Sequence, residues 1–130
     1  MFRSSGSASG SNPPSSSIQI SQEAGGVTVL ALSGELDIVR TPRLRVVINE
    51  ILRTRPFGLV IDLCAVTFAD STALALLLNA QRRATQQGTG LRVACDVATT
   101  LELFSLTRLD REFEIYGTRD AAVRAAHPAA

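Results

Sequence analysis

The sequence predicts an α/β fold, a mixed β-sheet of about five strands with about four helices packed on it. Three observations lead there. Short strand-like and longer helix-like segments follow in the order β-β-α-β-α-β-α-β-α. The first two strand segments are separated only by Ala24-Gly25-Gly26, a turn signal, which implies an antiparallel hairpin. The run Leu59-Val60-Ile61-Asp62-Leu63 is apolar on both faces, as a central strand covered on each side would be.

The elements are justified in order. Ile18–Glu23 alternates apolar and polar residues, and Val27–Leu32 is β-branched and apolar, with Ser33-Gly34 expected to end it. Thr41-Pro42 starts a helix, with Thr41 as the expected N-cap and Pro42 at the first helical position. Leu44, Val47, Ile48 and Ile51 recur at helical spacing until Pro56 and Gly58 stop them. After the central strand, Asp70-Ser71 opens a second helix, whose Leu74, Leu77, Leu78 and Gln81 share a face and which Gly88 and Gly90 close. Leu91–Cys95 reads as a strand, Val97–Leu106 as a helix, Phe113–Tyr116 as a short strand, and Thr118–Ala126 as a terminal helix capped by Thr118.

The chain has 130 residues, enough for one domain. Residues 1–17, MFRSSGSASGSNPPSSS, carry too little apolar surface to offset the entropy of ordering them and are expected to be a disordered tail. The folded domain is expected over 18–126, with 127–130 a C-terminal tail.

Composition narrows the function classes. The formal net charge is +1, there is no Trp, and the five Phe and one Tyr are scattered, so no basic stripe with stacking aromatics points to nucleic acid. The apolar run Ala73–Leu78 is far shorter than the roughly 20 residues that span a bilayer. No signal-peptide core precedes the domain, and a cytoplasmic, soluble protein with no direct membrane insertion is expected. Cys64 and Cys95 lie in apolar strands and read as reduced core thiols. A metal site is not expected, because the single histidine is His127 in the tail. No cofactor motif is present: Gly88 and Gly90 follow a helix and do not open one.

The informative stretch is Leu59–Ala84, where a buried strand leads through a short loop into a helix opening with Asp70-Ser71-Thr72. Such residues cap helices, because the first backbone N–H groups lack partners. The same geometry would put a hydroxyl on the surface at the carboxyl edge of the sheet, where open α/β sheets place their sites. A phosphate there would be expected to meet free N–H groups and the positive end of the helix dipole. Enzymatic use of Ser71 is not expected, since a serine nucleophile needs a base and the one histidine is remote in sequence. Asp37 and Asp70 could lie near one another, but paired acids alone do not make acid–base catalysis.

Two segments in order resemble the STAS domain family of anti-sigma factor antagonists. Leu32-Ser33-Gly34-Glu35-Leu36-Asp37 is similar to the family's strand-end signature. Val60-Ile61-Asp62-Leu63 followed by Val66-Thr67-Phe68-Ala69-Asp70-Ser71-Thr72 resembles its strand and phosphorylation motif. The resemblance spans Ile18 to Ala126 and implies a STAS-like fold. It implies that Ser71 is the phosphorylated serine and that Asp37, Asp70, Ser71, Thr72 and Ala73 form the partner-binding edge. The implied partners are an anti-sigma factor that is also a serine kinase of the histidine-kinase-like ATPase type, and a PP2C-type phosphatase that reverses the modification. The alternative is a STAS subunit of an ABC-type lipid transport assembly. The chain departs from the motif at Ala73, where the family usually has Gly and where a methyl would stand near a partner backbone. It departs again at Arg108, where a Gly would suit a left-handed helix cap.

Overall fold

The computed structural model describes residues 16–127. The expected tails at 1–15 and 128–130 lie outside the described residues. Ser16 and Ser17, placed in the tail by composition, belong instead to the first strand, where their backbones pair with Gly34 and Ser33.

Five strands form one sheet in sequence order: β1 (Ser16–Glu23), β2 (Val27–Leu36), β3 (Gly58–Ala69), β4 (Gly90–Ala94) and β5 (Glu114–Tyr116). β1 and β2 are the expected antiparallel hairpin, turned by Gly25 and Gly26 at φ of 81° and 79°, which L-residues with a Cβ rarely adopt. The other pairs are parallel and are linked by α1 (Thr41–Arg53), α2 (Ser71–Gln87) and α3 (Ala98–Leu106). A 3-10 turn at Leu109–Arg111 precedes β5, and α4 (Arg119–Ala126) ends the fold.

Alternating side chains divide the strands between two layers. Leu30, Leu32, Leu59, Ile61, Leu63, Leu91 and Val93 share one core with the buried faces of α1, α2 and α3. Phe104 of α3 is fully buried there and meets Phe113 edge to face, with centroids 5.6 Å apart. Val27, Val29, Val60 and Ala94 point the other way and are covered by Ala122 and Ala126 of α4.

Several boundaries differ from expectation for physical reasons. Thr41 is the first residue of α1 rather than its cap; Arg40 holds the cap position, and the Thr41 hydroxyl donates to the Ile38 carbonyl at 3.3 Å. Ser33-Gly34 does not end β2, which runs on to Leu36; Gly34, at φ 82°, lies at a register irregularity where a positive φ keeps the ladder going. β3 runs to Ala69, well past Leu63. Gly88 caps α2 in the left-handed region as expected, whereas Gly90 starts β4. Thr118 caps α4 as expected, its hydroxyl accepting from the Ala121 N–H at 3.1 Å.

The two cysteines are free and lie on opposite faces of the sheet. Cys95 is buried as expected, while Cys64 is half-buried. Burial, then the neighbouring Asp62 carboxylate, pushes the Cys64 thiol up to about 12, so it stays protonated and unreactive.

A candidate switch edge at the carboxyl end of β2 and β3

The site follows from strand register. Leu36 and Ala69 are paired at the carboxyl ends of β2 and β3, so the next residues, Asp37 and Asp70, begin neighbouring loops. The Asp70 N–H donates back to the Leu36 carbonyl at 3.1 Å, which fixes the two loops against each other.

Asp70 is the N-cap of α2, in extended backbone conformation. Its Oδ1 accepts the Thr72 N–H at 3.0 Å, the Ala73 N–H at 3.1 Å and the Thr72 hydroxyl at 2.5 Å. Its Oδ2 accepts the Ile38 N–H at 3.1 Å and so reaches the loop after β2. The Thr72 hydroxyl holds the Asp70 carboxyl below its ordinary value, against a smaller opposing effect of burial, and the three backbone donors add to it. The expectation that a phosphate would find free N–H groups is corrected here: those of Thr72 and Ala73 are already taken by Asp70.

Asp37 serves its own loop. Its Oδ1 accepts the N–H groups of Val39 and Arg40, each at 3.2 Å, and its Oδ2 accepts Arg40 Nη1 at 2.8 Å. Arg40 Nη2 also approaches Glu35 Oε1 at 3.9 Å. Desolvation pushes the Asp37 carboxyl up, but Arg40 and the loop amides outweigh it and hold it low. Both carboxylates are thus ionised, occupied acceptors. Neither is poised as a general acid or base.

Ser71 occupies the first position of α2 and is exposed. Thr72 is half-buried. Ala73 is 0 % exposed and its methyl packs in the main core, not on the surface of the expected partner-binding edge.

Four exposed apolar side chains that sequence reasoning missed surround this edge. Ile38 and Val39 are 66 % and 76 % exposed on the loop tied to Asp70. Phe68 and Leu106, 52 % and 73 % exposed, border a groove of about 400 Å³ between the end of β3 and α3. The Ile38-Val39 pair following Asp37 was the one available signal. Phe68 was hidden because its segment read as a loop. Among the described residues no group of His, Cys, Asp and Glu is arranged to hold a metal ion, and no helix is long and apolar enough to cross a membrane.

Residues 19–122 match the family model of the STAS domain. The chain belongs to the STAS domain family. This STAS domain is 32 % identical over 93 residues to an anti-sigma-F factor antagonist, RsfB, of Mycobacterium tuberculosis, an alignment covering 72 % of this chain and 75 % of that one. It superposes with a TM-score of 0.81 on the crystal structure of an anti-sigma factor antagonist from Mycobacterium paratuberculosis, at 34 % identity and covering 89 % and 97 % of the two chains. The fold also matches SpoIIAA in its unphosphorylated form, with a TM-score of 0.71, 17 % identity and coverage of 88 % and 100 %. The expected STAS-like mixed sheet of five strands and four helices is what the structure contains.

Proposed function

We propose that this STAS domain is an anti-sigma factor antagonist whose binding to its anti-sigma factor is controlled by phosphorylation of Ser71. The observation that carries the reading is the placement of Ser71: an exposed hydroxyl at the start of α2, on the edge built by Asp37 and Asp70. Two relatives above 30 % identity bear the antagonist name, which supports the same class of partner. The anti-sigma factor is itself the serine kinase, of the histidine-kinase-like ATPase type, and a PP2C-type phosphatase reverses the mark. The domain acts by binding rather than catalysis, in the cytoplasm where sigma factors work.

The switch is electrostatic. Unmodified, the edge offers the apolar side chains of Ile38, Val39 and Phe68 around a neutral hydroxyl. Phosphoserine adds about −1.5 to −2 charge. An acidic partner group about 5 Å away would then be repelled by roughly 3 kcal/mol per unit charge at an effective dielectric near 20. Half of that weakens binding about tenfold. Glu35, Asp37 and Asp70 already stand nearby, so Ser71 modification enlarges an acidic patch that Arg40 only partly balances.

The test is a pull-down from the native cell followed by incubation of the full chain with the recovered ATPase and ATP. We expect one phosphate, on Ser71. Ser71→Ala should stay bound in the presence of ATP, and Ser71→Asp should bind about tenfold more weakly or worse. A phosphate found elsewhere while Ser71 stays unmodified sinks the reading.

A further inference from the structure

We propose that Asp70 is a positioning residue that confines phosphorylation to Ser71 by withholding the adjacent hydroxyl of Thr72. The inference rests on Ser71 being the phosphoacceptor and concerns why it alone is used.

Two hydroxyls of similar chemistry stand side by side at the start of α2, and the structure treats them differently. The Thr72 hydroxyl donates to Asp70 Oδ1 at 2.5 Å, and the Thr72 N–H donates to the same oxygen at 3.0 Å. One carboxylate oxygen thus holds Thr72 at both ends, and the residue is half-buried. Ser71 is exposed, and among the described residues none hydrogen-bonds its side chain.

Transfer requires the hydroxyl oxygen to attack the γ-phosphorus of ATP. An O–P bond forms, the bond to the β-phosphate oxygen breaks, ADP departs, and the hydroxyl proton passes to a base of the kinase. Ser71 can turn toward that base freely. Thr72 is β-branched and stiff about χ1, so presenting its oxygen means breaking a charge-assisted hydrogen bond. It also brings the triphosphate against the ionised Asp70 carboxylate, a like-charge approach. Loss of a hydrogen bond to a charged group before attack slows transfer by about tenfold or more. Asp70 is itself fixed by the Ile38 N–H at 3.1 Å and by the Ala73 N–H at 3.1 Å, so it cannot swing aside with Thr72.

The experiment maps phosphate site by site on the full chain, using ATP and the kinase recovered from the native cell. Wild type should carry phosphate on Ser71 alone, and Ser71→Ala should carry essentially none. Ser71→Ala combined with Asp70→Ala should gain phosphate on Thr72, at least tenfold above Ser71→Ala alone. Folding of the double variant is read from its NMR spectrum, and docking from its co-precipitation with the recovered ATPase in the absence of ATP. Thr72 phosphorylation in Ser71→Ala at a rate within about threefold of wild-type Ser71 overturns the proposal, as does no gain in a double variant that is folded and co-precipitates. Wild type that takes no phosphate on either hydroxyl overturns the Ser71 reading, and this inference with it. A kinase-independent arm is solution NMR. The Thr72 hydroxyl proton should exchange slowly in wild type and rapidly in Asp70→Ala; rapid exchange in both overturns the proposal.

Discussion

The two faces of the sheet are held in different ways. Beneath α1, α2 and α3 the core is Leu, Ile and Phe, interlocked across three helices. On the opposite face one short helix, α4, rests on Val27, Val29, Val60 and Ala94 through Ala122 and Ala126, with no buried side chain there larger than Val. Small residues bring α4 close: a Cβ at Gly58 would stand 3.2 Å from the Cβ of Ala126. What apolar area does not supply, a polar clamp does. Asp62, in the middle of β3, accepts the Cys64 N–H at 2.9 Å and Arg119 Nε at 2.7 Å, pinning the first residue of α4 to the sheet. The thick face buries the larger side chains, and on the thin face a charged pair ties α4 to the sheet beside its small apolar contacts.

The largest expected effect tests that division. Phe104→Ala should destabilise the domain by about 3–5 kcal/mol, read from urea unfolding. Ala122→Gly, which removes one methyl and a helix-favouring residue from the thin face, should cost about 1–2 kcal/mol. Equal losses from the two would break the comparison.

The clamp comes next. Arg119→Ala leaves the Asp62 carboxylate with one partner fewer and should cost about 1–3 kcal/mol, with hydrogen exchange rising in α4 before the rest of the domain. Acid should act on the same contact. Burial pushes the Asp62 carboxyl up, but the Cys64 N–H and Arg119 outweigh it, and the net effect is a value below the ordinary 3.8. A folded-state value below the unfolded one gives stability that is complete well above pH 4 and lost as pH falls through the folded value. The melting temperature should therefore fall as pH drops below about 5, and Asp62→Asn should flatten that part of the profile. An unchanged profile in Asp62→Asn would place the acid sensitivity elsewhere.

The smallest effect has the opposite sign. Arg108 follows α3 with φ 62°, in the left-handed region, and Arg55 after α1 has φ 53°. Arg108→Gly relieves the crowding of Cβ there and should stabilise by up to about 1 kcal/mol, visible as a rise in melting temperature. A loss of stability would mean that the arginine side chain contributes more than its backbone costs.

Much of this was legible in the chain itself. Helical spacing in Leu44–Ile51 and the doubly apolar Leu59–Leu63 located α1 and the central strand, because burial imposes period and length. Asp70-Ser71-Thr72 marked the start of α2, because unpaired N–H groups demand such residues. The far ends of β2 and β3 were not legible. Ser33-Gly34 looks like a terminator, and only pairing with β3 shows it to be a point where the strand bends and continues. Cys64–Phe68 loses its alternation at the register shifts, so Phe68 could not be assigned a face. Asp37 and Asp70 were read as acids that could lie near one another; that they begin adjacent loops depends on the Leu36–Ala69 pairing, a long-range fact. Arg40 escaped notice because an arginine in a loop looks like a solvated charge until Glu35 and Asp37 are placed around it.

β2 has 10 residues and β3 has 12, yet both their first and last residues are partners, Val27 with Gly58 and Leu36 with Ala69. The longer strand takes up its surplus one residue at a time, in two places. Each odd residue exchanges inside for outside, and the second exchange undoes the first. Loss of the surplus residue at either place would straighten the ladder and still leave Leu36 beside Ala69, and with it Asp70 beside Ile38, whereas an extra residue in the regular stretch from Gly58 to Asp62 would turn the side chains beyond it over.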